Sequence, residues 1–215
     1  MRASKVDGAV ALARWMAEPA PLAARLSLMG SLYRPRAGAA GLAAPEVLDG
    51  AWRLGFRFLG RYDMAGIVPF VLRPERERYL DPHGVVVLSA RRGTAKGPIE
   101  ARMSRYSLIT YFDDGSCLTT RERYLPLGDT DRAHERTGTG DLFVDYEHHL
   151  AAVRRAMEIG KTPLEVGDLE TSLGLSHYHD RHLRPSVTLR FQLMRLQMVA
   201  LAALSLLTLA RAVGR

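Results

Sequence analysis

The sequence predicts an α+β protein, and three stretches carry that prediction. Asp114-Gly115 stands between IEARMSRYSLITYF and SCLTTRERY, two runs rich in Tyr, Ile, Thr and Leu, which is the pattern of a β-hairpin. Upstream, GVVVLSARR brings three successive valines whose stiff, branched side chains suit a pleated, buried surface. It joins the hairpin in an antiparallel meander of three or more strands. In LFVDYEHHLAAVRRAMEIGK, residues Leu142, Tyr146, His149, Leu150, Val153 and Met157 recur on one side of a helix, Arg154, Arg155 and Glu158 lie off it, and Gly160 marks its stop. A meander with one apolar face needs a covering helix, and either this helix or the last one can supply it.

The whole chain bounds the answer further. Its composition is that of a globular protein, with 47% hydrophobic and 25% charged residues. A formal charge of +7 favours an anionic partner such as phospholipid, nucleic acid or an acidic protein. Arginine supplies nearly all the positive charge, because Lys5, Lys96 and Lys161 are the only lysines. Cys117 is alone, which rules out an internal disulfide and a cysteine-based zinc site. Arg14 interrupts the first apolar run before a signal-peptide core can form, so the expected location is the cytoplasm or the cytoplasmic face of a membrane.

Taken in order, the chain divides into a helical N-terminal region over 1–36, an α+β domain over 45–185 and an apolar C-terminal helix over 186–215. Asp7 can cap a first helix that Pro19 and Pro21 end, and PLAARLSLMGSLYRP follows as a second, amphipathic one. AGAAGLAAP reads as a flexible loop and PEVLDGAWRLGF as a short helix with Leu48, Trp52 and Leu54 packed. GIVPFVLRP reads as an edge strand because of Pro69, and PERERY as a charged connector. LPLGDTDRAHERTGTGD is expected to be a polar loop, and TPLEVGDLETSLGLSHYHDRHLRP a short helical or irregular connector.

The last helix contains FQLMRLQMVALAALSLLTLA over 191–210, with no charge, Pro or Gly from Leu196 onward. Its polar residues scatter around the circumference, so the middle is apolar all round and must be covered by lipid, a core or another chain. The fifteen uncharged residues rise only about 22 Å against a hydrocarbon core of about 30 Å, so length alone does not choose among these settings. Residues 191–210 are therefore the expected contact with an anionic membrane surface, a protein partner or a second copy.

Several residues could carry chemistry. His177, His179, Asp180 and His182 in HYHDRH are suitable nitrogen and oxygen ligands for a divalent metal. The run is close to the His-x-His-x-Asp-His pattern of metallo-β-lactamase-like hydrolases. Asp180 stands one place early, however, and only the apolar helix follows, so that family is not assigned. Of His148 and His149, one ring is expected to pack and the other to face water. Asp113 and Asp114 belong to the hairpin turn. RRGTAKG lacks the order of a phosphate-binding P-loop. Arg91, Arg92, Lys96, Arg102 and Arg105, with Tyr106 and Tyr111 for stacking, are the candidates for a nucleic-acid surface. The expected function is a non-enzymatic binding or scaffold protein at a membrane surface or in a larger assembly, without a cofactor. A metal-dependent hydrolase and a nucleic-acid-binding module are the alternatives.

Overall fold

The computed structural model describes residues 33–64, 75–91, 104–122 and 133–182, with the side chains of Met64, Ala133 and 180–182 outside that description. Seven strands form one sheet in sequence order. They are β1 (Tyr33–Arg36), β2 (Arg57–Met64), β3 (Glu75–Leu80), β4 (Val87–Arg91), β5 (Tyr106–Tyr111), β6 (Cys117–Arg121) and β7 (Ala133–Thr137). Helix α1 (Pro45–Arg53) precedes β2, while α2 (Leu142–Glu158) and α3 (Leu169–His182) follow β7. The architecture is α+β. Neighbouring strands are antiparallel except β6 and β7, which pair in parallel.

The predicted hairpin is β5–β6, with Ser107 opposite Arg121 and Tyr111 opposite Cys117. Gly115 adopts φ +76°, a left-handed conformation that glycine takes without a Cβ clash, and its N–H donates to the Phe112 carbonyl. The valine-rich stretch becomes β4, buried along its length.

Several expectations are corrected. PERERY is no connector: Glu75–Leu80 is an interior strand, β3, paired on both sides. The polar loop contains β7, which extends the sheet beyond β6. Tyr33–Arg36 is a strand and not the end of a helix. The connector carrying the histidines is a regular helix of 14 residues, α3. The AGAAGLAAP segment is pinned as well, since the Leu42 and Ala43 N–H groups donate to Glu77 at 2.8 and 2.9 Å. Residues 1–32, the proposed strand in GIVPFVLRP and the apolar segment 191–210 lie outside the described residues. Among the described residues, no helix is long and apolar enough to cross a membrane.

Both faces of the sheet are covered. On one, Phe56, Tyr79, Leu88, Ala90, Tyr106 and Leu108 pack against Val47 and Ala51 of α1 and against Leu142 and Tyr146 of α2. Helix α2 starts at Asp141, whose carboxylate caps the Phe143 and Val144 N–H groups. His149 is its packed ring and His148 its exposed one. On the other face, Leu80, Val87, Tyr111 and Cys117 pack against Leu175 and Tyr178 of α3, and Tyr62 packs against Leu173.

Candidate functional site

Side chains alternate across a strand, so ERER in β3 sends its two glutamates to one face and its two arginines to the other. The two faces treat their charges differently. On the α1/α2 face, Glu77 is fully buried and accepts from Leu42 N, Ala43 N, Tyr79 Oη and Arg61 Nε. Two further buried carboxylates are filled in the same way. Asp81 accepts from Val85 N, Val86 N and Tyr146 Oη, and Asp145 from Tyr106 Oη, Thr139 N and Thr139 Oγ1. These groups tie loops to the core.

The α3 face is different. The register puts Arg76 directly opposite Arg91 on β3 and β4, and Arg78 in a cross-strand row with Ser89, Ser107 and Arg121. Four arginines thus frame a floor of two serines. Arg76 and Arg91 are buried and Arg78 is only 2% exposed. Glu135 of β7, held by Arg121 at 3.1 Å, is the one carboxylate that the described strands contribute to this face. Hydroxyls supply the remaining polarity. Tyr62 Oη lies 2.7 Å from Ser89 Oγ, and Tyr111 Oη lies 2.6 Å from Ser176 Oγ on α3.

Arg78 donates through Nη2 to Ser176 Oγ at 2.7 Å and lies over the Tyr62 ring, 5.1 Å from its centroid. Its Nε and Nη1, together with Arg76 Nε, are buried and have no hydrogen-bond acceptor among the described residues. Burial pulls the Arg76 pKa below the ordinary arginine value, and the charges of Arg121 and Arg78 add to the effect. A guanidinium nevertheless stays protonated in a protein. A buried donor without an acceptor costs stability, more so when it is charged, and like charges set directly opposite across strands repel. An anion on this face would satisfy both.

The residues singled out in the sequence fall in several places. His177 and His179 project from α3 into buried surroundings, and His179 Nε2 sits 2.6 Å from Cys117 Sγ, a neighbour the sequence does not reveal. The side chains of Asp180 and His182 lie outside the described residues, and among the described residues no group of three or more His, Cys, Asp or Glu could hold a metal ion. Asp113 and Asp114 occupy the hairpin turn, where Asp114 accepts from the Ser116 N–H and pairs with Lys161 at 3.3 Å. Arg105 is tied to Glu122 and Glu46, while Tyr106 and Tyr111 are buried on opposite faces and present no ring to an outside base. Arg92, Lys96 and Arg102 lie outside the described residues.

Sequence reasoning missed Arg76, Arg78 and Arg121. The available signal was the strict Glu-Arg-Glu-Arg alternation leading into Tyr79-Leu80. Comparison of the chain with protein-family models, with curated proteins and with solved structures returned no match in any of the three.

Proposed function

We propose that this chain is a non-enzymatic binding protein whose ligand is an anion held on the arginine face beneath α3. The observation that carries the reading is Arg78, a buried guanidinium with two nitrogens lacking acceptors, on a face where arginines outnumber carboxylates among the described strand residues. A core selected only for stability would place apolar side chains there, because replacing buried charges by well-packed apolar groups is often neutral or stabilising. Retaining several arginines suits a ligand that brings the missing acceptors. The reading agrees with the chain's net positive charge, and an anionic lipid surface or a larger assembly is the setting in which such a ligand would be presented.

The test is thermal unfolding of the full chain across a panel of sodium salts at constant ionic strength. A ligand of the folded state stabilises it by mass action, about 2.7 kcal/mol at a hundred times its Kd. Sulfate, phosphate or a carboxylate is expected to raise Tm over chloride, and Arg78→Met to remove the increment. Equal Tm values in all salts would refute the reading.

A further inference from the structure

Resting on the anion-binding reading, we infer that the ligand is a doubly charged tetrahedral oxyanion of the phosphate-monoester class, free or as a terminal headgroup. Charge is the first argument. Arg76 and Arg78 both face α3 with buried nitrogens that find no acceptor among the described residues, whereas Arg121 is paired with Glu135. A monoanion would match the charge of one of these two guanidiniums, whereas a phosphate monoester carries close to two negative charges at neutral pH.

Donor geometry is the second argument. A planar carboxylate is matched by one guanidinium fork, which delivers two parallel N–H bonds. The unmatched donors here belong instead to two arginines two residues apart on the same face of one strand, Arg76 through Nε and Arg78 through Nε and Nη1. Donors arriving from separate side chains match an acceptor with several equivalent oxygens. The small side chains of Ser89 and Ser107 lie in the row between Arg78 and Arg121, and their hydroxyls can add bonds to the same oxygens.

The experiment is calorimetric titration of the full chain with inorganic phosphate, methyl phosphate, dimethyl phosphate and acetate. Methyl and dimethyl phosphate share a shape and differ by one charge. Inorganic and methyl phosphate are expected to bind roughly tenfold or more tighter than dimethyl phosphate and acetate, given the strength of hydrogen bonds to charged groups. Arg78→Lys, which keeps the charge but not the fork, is expected to lose most of that preference while remaining folded by circular dichroism. Vesicles containing phosphatidic acid, compared with vesicles matched in charge by phosphatidylglycerol, separate a headgroup from a free ion as the source. Binding of acetate or dimethyl phosphate as tightly as methyl phosphate would overturn the monoester inference and leave anion binding standing. No binding of any of the four would overturn both.

Discussion

Glu77 and Arg78 are adjacent in β3 and point to opposite faces of one sheet. The carboxylate is saturated by donors, and the guanidinium retains two nitrogens without an acceptor among the described residues. The same strand therefore serves two ends. Its glutamate closes a structural network, while its arginine is left to be completed by something that binds.

Substitution should separate the two roles. Glu77→Ala is expected to destabilise the fold by about 3 kcal/mol or more, because it strands the Leu42 and Ala43 N–H groups and leaves Arg61 without its partner. Chemical denaturation of the purified variant measures this. A loss below about 0.5 kcal/mol, the range of an ordinary surface substitution, would mean that the network does not organise the loop before α1.

Arg78→Met should behave in the opposite way. Without ligand, its stability is expected to stay level or rise by about 1 kcal/mol, because an incompletely matched buried charge is removed. The bond to Ser176 is lost, but the Tyr111 hydroxyl remains as a partner for Ser176. Destabilisation by several kcal/mol in phosphate-free buffer would show that the arginine is a structural group.

His149 makes a pH prediction. Its ring lies between Thr110 Oγ1 at 3.0 Å and Thr120 Oγ1 at 2.9 Å, and burial, with the nearby charge of Arg136, pushes its pKa down to about 3. The neutral ring is the form that fits the fold. The unfolded chain takes up a proton near the ordinary value of about 6.5, so stability present above that pH is lost as pH falls towards about 3. Between pH 7 and 5 the loss from this group is expected to be about 2 kcal/mol. Urea midpoints at the two pH values, compared with those of His149→Gln, isolate the contribution. An equal pH slope in both proteins would show that the ring is not held neutral.

The hairpin turn gives a local test. At φ +76°, Gly115→Ala is expected to cost about 1 kcal/mol in left-handed strain, read as a drop in the denaturant midpoint at constant slope. An unchanged midpoint would show that the turn relaxes to another type.

Much of the scaffold was legible because ordinary patterns encode it. Asp114-Gly115 between β-rich runs announced β5 and β6, the valines announced β4, and the spacing from Leu142 to Met157 announced α2 with its exposed outer face at Arg154, Arg155 and Glu158, although Met157 itself is exposed and not packed. What escaped was built from polar residues. Period-two reasoning looks for apolar against polar, and β3 alternates acid against base, so a strand buried on both faces reads as a solvated connector. Strand β7 escaped for a related reason. Ala-His-Glu-Arg-Thr has no apolar face, and its pairing with β6 is parallel and so leaves no hairpin signal. The arginine site was hidden with β3, because its members are neighbours only after register has placed Arg76 by Arg91, and Arg78 in one row with Arg121. The histidines of HYHDRH drew attention by local density, yet helical geometry directs His179 to Cys117, a residue of the central sheet.

The most direct measurement is a crystal structure of the full chain grown with sulfate or phosphate, taken together with one grown without either. A tetrahedral anion is expected within hydrogen-bond distance of Arg76 Nε and of Arg78 Nε and Nη1. Finding those nitrogens bonded to a carboxylate of the chain itself, with no anion on the face in either crystal, would contradict it.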